Sequence, residues 1–285
     1  MQRERVADDI YVFISDQYAQ VNATLITTNE GAVLFDTLLY PDETRQIHRY
    51  VERRLGTTVK VVINSHFHAD HTAGTCFFPN AQVIAHAKCR DLLERRGRES
   101  LEQAKQHVPE LRDVELVLPD TTFRESYQFS LGNKSFHLWS TPGHSPDSVV
   151  CLVKEDRVLL AADTVMALPH FVDGSFDELY ASLQSLRGGN YENVIQGHGD
   201  IVLRGEIEDR LKNDIAYLDA LRKAVDQALE KGQPLENIDI ERCGKSRILL
   251  HGSAVELHRQ NVMTLAAQRR ELLDGTDREI VRQTP

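Results

Sequence analysis

The amino-acid sequence predicts an α/β fold in which two sheets pack face to face with helices outside. Strand-like apolar runs fall into two groups, over residues 10–85 and 115–195, and each group is interleaved with helical segments. Beyond His198 the character changes to long helical patterns. A third observation ties the groups together: metal-capable side chains recur just past the ends of strands drawn from both.

In chain order, runs rich in β-branched residues at Ile10–Ile14, Ala23–Thr27 and Ala32–Phe35 are separated by turn signals such as Asn29–Gly31, the pattern of successive strands. Residues 42–55 have the charge density and spacing of an exposed helix, with Gly56 placed to cap its end. Val59–Ile63 is continuously apolar, as a strand buried on both faces requires. Gln82–Ala85 follows as a strand and 87–107 as a helix. Glu115–Leu118, Tyr127–Leu131, Ser135–Ser140, Ser148–Val153 and Arg157–Ala161 read as strands, 175–187 as a helix, and Asn193–Ile195 as a short strand. Residues 205–231 and 253–274 carry amphipathic helical patterns, divided by the Gly- and Pro-containing stretch 232–252.

The expected division is a main domain over 1–231 and a helical C-terminal extension over 232–285. The first of the two long helices should cover the outer face of the second sheet. The other carries Leu257, Val262, Leu265 and Leu272 and is expected to cover a neighbouring subunit in preference to its own domain, which makes a homodimer possible.

A formal net charge of -10 argues against a nucleic-acid partner, whose phosphates demand a basic face. No stretch approaches the roughly 20 apolar residues that span a bilayer. The opening MQRERVADDIYVF lacks the apolar core of a signal peptide, so a cytoplasmic protein without a membrane partner is expected. Cys76, Cys89, Cys151 and Cys243 are far apart, without CxxC spacing, and read as ordinary small side chains in a reducing compartment.

The chemistry concentrates in Ser65-His66-Phe67-His68-Ala69-Asp70-His71, directly after an apolar strand. In an extended segment His66 and His68 project to the same side. Asp70 and His71 follow where the chain turns, toward a second position nearby. Imidazole and carboxylate donors together suit zinc, and also iron or manganese. Three more segments each place a ligand candidate at a strand end: Thr141-Pro142-Gly143-His144, Ala162-Asp163-Thr164 and Gly197-His198-Gly199. A polar loop with chance histidines would not be matched by three further strand ends of the same kind.

The order HxHxDH, PGH, AD and GHG, over roughly residues 10–204, strongly resembles the metallo-β-lactamase superfamily. The resemblance implies an αββα sandwich with its site at one edge, between the sheets. It implies that His66, His68 and His144 hold one divalent metal ion, that Asp70, His71 and His198 hold a second, and that Asp163 bridges both. Two such ions, zinc first, lower the pKa of a shared water and stabilise an oxyanion. Asp70 is also the expected catalytic group, orienting the water and carrying a proton. Asp36 matches a family position that supports the site without binding metal, although a strand-end turn residue is the other reading.

Expected contacts of a small-molecule substrate are His170, Phe171 and Tyr180, since the loop after Asp163 commonly borders the pocket in this superfamily. His48, His86, His107, His137, His251 and His258 read as structural or solvated. The superfamily hosts many reactions, so the fold alone does not name the substrate. A diiron flavoprotein would carry glutamate in place of His68. What remains is a binuclear metallo-hydrolase of an activated acyl bond: lactone or ester first, β-lactam second, thioester third.

Residues 165–196 hold no lysine and a single arginine, Arg187, which disfavours recognition of a β-lactam carboxylate. Arg242, Lys245 and Arg247 could form the cationic cluster that a glutathione thioester wants, or be solvated surface. The apolar run Val165–Leu168, with a phenol from Tyr18, Tyr40 or Tyr180, suits a lactone. The alternative from another class is a mononuclear-iron persulfide dioxygenase of the same fold, which would use a reduced ligand set.

Overall fold

The computed structural model describes residues 1–283, and the side chains of residues 251 and 272–283 lie outside that description. Strands β1 (Gln2–Ala7), β2 (Ile10–Ile14), β3 (Asn22–Thr28) and β4 (Gly31–Phe35) form an antiparallel meander. Helix α1 (Pro41–Arg49) then carries the chain across, and β5 (Val59–Asn64) pairs in parallel with β4. The short helix α2 (Ala69–Thr72) follows. Strand β6 (Gln82–His86), helices α3 (Ala87–Leu92) and α4 (Arg98–His107), and β7 (Thr121–Phe123) complete a seven-stranded sheet in sequential order.

The second sheet has six strands: β8 (Ser126–Leu131), β9 (Lys134–Ser140), β10 (Val149–Val153), β11 (Val158–Ala162), β12 (Asn193–Gln196) and β13 (Val202–Leu203), again in sequential order. Helix α5 (Phe176–Leu186) makes the crossover between β11 and the parallel β12. Helices α6 (Ile207–Lys231) and α7 (Ala254–Gln283) follow. Among the described residues no helix is long and apolar enough to cross a membrane.

The period-two alternation of a strand gives each sheet two apolar faces. In β5, Val61 and Ile63 face the second sheet, where they join Phe136, Val149 and Leu160. Val62 between them turns outward to Ile47 of α1. Val150, Leu159 and Val194 show the outer face of the second sheet to Leu183, Leu218 and Leu221 of α5 and α6. Helices outside and sheets inside make the αββα sandwich.

Three departures from the sequence reading have physical causes. Glu115–Leu118 is not a strand: Leu116 and Leu118 pack beside Ala85, Cys89 and Leu93, and the strand forms after Pro119, at Thr121–Phe123. Its apolar run packs against a helix and joins no sheet. The edge strand β1 is exposed and charged along most of its length, so it carries no apolar signal. The helix expected over 87–107 is divided by a π-helical turn, Leu93–Gly97.

The C-terminal segment departs furthest from expectation. Val262 and Leu265 of α7 were expected against a neighbouring subunit; both are buried in the same core as α5 and α6. The polar anchors agree. Asn261 Nδ2 donates to Pro169 O at 2.6 Å and its Oδ1 accepts from Phe171 N–H at 3.3 Å. Gln268 spans Gly174 O and Phe176 N–H. Residues on both sides of the expected 231/232 boundary thus share one core. Leu272, the remaining apolar position of that pattern, and His251 lie outside the described side chains.

This packing predicts that Leu265→Ala lowers unfolding stability by about 2–5 kcal/mol, as cavity formation in a core does. Urea denaturation checks it. A change near zero would mean that α7 is not part of the domain core.

Candidate metal centre

Each ligand candidate follows the end of a strand at one edge of the sandwich. His66, His68, Asp70 and His71 lie after β5, and the last two sit on α2. His144 lies in the β9–β10 connection, Asp163 directly after β11, and His198 just beyond β12. One group thus comes from the first sheet and the other from the second. Ala162 takes a left-handed φ of 42° and turns the chain so that Asp163 faces inward. Gly197 gives it room, since a Cβ there would lie 1.7 Å from Asp163 Oδ1.

The side chains converge in two groups, His66, His68, His144 and Asp163, and Asp70, His71 and His198. Within each, the ligand atoms lie within 4.8 Å of one another. His68 Nδ1 is 3.0 Å from both His66 Nε2 and His144 Nε2. Asp70 Oδ2 is 3.6 Å from His71 Nε2 and 3.5 Å from His198 Nε2. Asp163 reaches into both groups: Oδ2 is 3.3 Å from His144 Nε2 and 3.4 Å from His198 Nε2, and Oδ1 is 3.3 Å from His71 Nε2.

What fixes the rings is the other nitrogen of each. His144 Nδ1–H donates to His170 O and His198 Nδ1–H to Ala19 O, both at 2.9 Å. His71 Nδ1–H donates to Asp36 Oδ2 at 2.8 Å. Ser65 Oγ donates to the same Asp36 carboxylate at 2.8 Å and accepts from His66 Nδ1–H at 2.9 Å. His68 Nε2–H donates to Asp173 Oδ2 at 3.0 Å. These acceptors set the tautomers, leaving Nε2 of four rings and Nδ1 of His68 aimed inward. Asp36 therefore orients two ligands while its own oxygens stay clear of the centre. Asp173, held in turn by Arg96, plays the same part for His68 and carries no sequence signal beyond an ordinary turn.

Electrostatics separates the two groups. Burial lowers His66 and His144, the latter to about 3, so both are neutral donors. For His71, burial also disfavours charge, but Asp163, Asp70 and Asp36 outweigh it and hold the ring well above its ordinary value. His198 is raised in the same way by Asp163 and Asp70. Burial would raise Asp163, yet His198, His71 and His144 hold it well below the usual carboxylate range.

The residues fit metal ions by a test internal to this structure. His71 Nε2 and Asp163 Oδ1 are buried and face each other, yet neither has a hydrogen-bond partner. Two polar atoms left that way are costly, and a cation between ligand sets would satisfy both.

The centre opens at Asp70 into a cavity of about 920 Å³. His170 lines it, and so does Tyr18, whereas Tyr40 and Tyr180 are not part of the lining. Phe171 and Tyr180, expected beside the substrate, do not line it. Phe171 is fully buried against Phe176, and Tyr180 stacks on Phe176 and donates to Asp219. The suggested cationic cluster is not assembled either: Lys245 is buried against Asp214, and Arg247 pairs with Asp239 and Glu241. The C-terminal segment contributes wall, through Leu250, Ser253 and Leu257.

Comparison with known proteins agrees with this geometry. Residues 18–225 match the family model of the metallo-beta-lactamase superfamily. A type 2 metallo-beta-lactamase of Bacillus cereus is 24% identical over 203 residues, covering 68% of this chain and 72% of that protein. A hydroxyacylglutathione hydrolase of Rhodopseudomonas palustris is 23% identical over 176 residues, covering 61% of each, so the chain spans less than two thirds of that relative. A solved metallo-beta-lactamase from Pontibacter korlensis superposes with a TM-score of 0.64 at 18% identity, covering 76% of this chain and 98% of that one. The chain belongs to the metallo-beta-lactamase superfamily.

Removing the support of Asp36 should weaken metal binding without unfolding the protein. For Asp36→Ala, affinity is expected to fall about 10–100-fold, the usual cost of losing such a partner. Competition with a chromophoric chelator measures it, with circular dichroism as the folding check. Unchanged affinity would mean that Asp36 does not position the rings.

Proposed function

We propose, from that family membership, that the protein is a metal-dependent hydrolase of an activated acyl bond, with a lactone or carboxylic ester as substrate ahead of a β-lactam or thioester. The observation that carries the reading is the pair of ligand groups joined by Asp163 and opening into a large cavity. His66, His68 and His144 would hold one divalent ion, and Asp70, His71 and His198 a second, with Asp163 between them. The donor set suits zinc first, and iron or manganese as well. Bound there, the ions would supply a water of lowered pKa and a Lewis acid for the carbonyl oxygen.

The chain's own residues supply the rest. Asp70 stands at the cavity with its side chain 15% exposed, where it can accept the proton of the attacking water and return it to the leaving oxygen. Tyr18 lines the same space, and burial, then the charge of Asp70, keeps its phenol protonated as a donor to the carbonyl oxygen. The order of substrates follows from charge. Arg187, the candidate for a β-lactam carboxylate, is held by Glu208, and Lys245, the candidate for a glutathione carboxylate, by Asp214.

Asp70→Asn should lower kcat about 10²–10⁴-fold on the best ester or lactone, the range of a positioned acid–base group. Near-wild-type turnover with metals still bound would show that Asp70 does not carry the proton.

Metal content should also depend on pH. His71 and His198 hold protons above the ordinary imidazole range and must release them to bind an ion, whereas His66 and His144 are already neutral. A raised pKa means that protons compete as pH falls. Elemental analysis should therefore show two ions per chain at mildly alkaline pH, then one, then none. A maximum of one at every pH would end the two-ion reading.

A further inference from the structure

The cavity is larger than the chemistry next to the metal centre needs. At about 920 Å³ it lies near the top of the roughly 300–1,000 Å³ range of ligand sites. One end is walled by the ligands His68, Asp70, Asp163 and His198. The other is built from Leu93, Leu101, Val108, Leu111 and Leu116, with Leu257 of α7 contributing to the wall. Leu101, Val108 and Leu257 are only half-buried, so their cavity-side atoms have no protein partner.

The charge of the lining is one-sided. Among the described residues that line the cavity, Arg96 is the sole lysine or arginine, and it is engaged by Asp173. Asp16, Asp70 and Glu115 line it as well. Beyond the metal centre, a substrate carrying its own carboxylates or phosphates would meet acidic side chains, no unengaged lysine or arginine among the described residues, and an apolar wall. A neutral, extended hydrocarbon would meet matching surface.

We infer that the substrate is a neutral ester or lactone bearing an unbranched acyl or alkyl chain, which lies along the apolar wall formed by residues 93–116 and α7. The inference rests on the hydrolase reading above and adds what the substrate carries beyond the reacting bond.

The test uses the metal-loaded, full-length chain and two readouts. The first is kcat/KM for p-nitrophenyl esters from acetyl to dodecanoyl. It should rise about fourfold per methylene, the transfer preference of one buried CH₂ expressed as a ratio, and level off once the cavity is full. The second is calorimetric binding of n-alkanols, which cannot be hydrolysed, with affinity rising in the same steps. Ala104→Phe puts a ring into the apolar end, since Ala104 is part of its lining. It should cut the decanoyl-to-butyryl ratio about tenfold or more, the worth of two or more methylenes.

Length-dependent alkanol binding without ester turnover would uphold the chain-binding wall and overturn the reading of the centre as an ester hydrolase. Turnover of short esters with no gain from length, and no alkanol binding, would do the reverse. If Ala104→Phe fails to fold, the two series on the unsubstituted chain still decide.

Discussion

The carboxylate of Asp163 faces both ligand groups at once, and the rest of the structure depends on that placement. A buried anion needs compensation, and here it comes from rings delivered by both sheets. Bringing five imidazoles to that carboxylate makes the ends of β5, β9, β11 and β12 meet at one edge, which two sheets packed face to face allow. It also requires each ring to be held from behind. Two backbone carbonyls, a serine hydroxyl and two carboxylates do this, and four of those anchors come from segments distant in sequence.

The ligands were legible in the sequence because their signal is local. Four metal-capable residues within six positions, after a continuous apolar run, leave few other readings, and the strand ends repeat the pattern. The anchors were legible only where they sit inside a motif, as Asp36 does. Asp173 and the carbonyls of Ala19 and His170 become partners through the tertiary fold alone. Of the expected substrate contacts, Phe171 and Tyr180 lie away from the cavity for a geometric reason. His170 and Phe171 are neighbours in the loop after β11, and one ring lines the cavity while the other enters the core. Tyr180 belongs to the face of α5 that meets α6.

The αββα layering was legible from element order, but the covering of its outer faces was not. An amphipathic pattern says that a helix needs an apolar partner and leaves open which one. For α7 the answer lies in the side-chain amides of Asn261 and Gln268, which tie it to residues 169–176. That loop carries His170, whose carbonyl holds His144. A helix that read as an appendage is thus two hydrogen bonds away from the metal centre and also walls the cavity.

The division of the ligands between the sheets reaches beyond chemistry. His66, His68, Asp70 and His71 follow a strand of one sheet, while His144, Asp163 and His198 follow strands of the other. An ion held among them would be a cross-link between two layers that are otherwise joined by side-chain packing and by a few hydrogen bonds, such as Asn22 N–H to Gly197 O and Val149 N–H to Ser65 O. Its binding energy then adds to folding energy by mass action, because the unfolded chain offers no such cage. The supply of metal in the surroundings would set how long the fold lasts as well as how fast it works, and a chelator would loosen the sandwich along its seam.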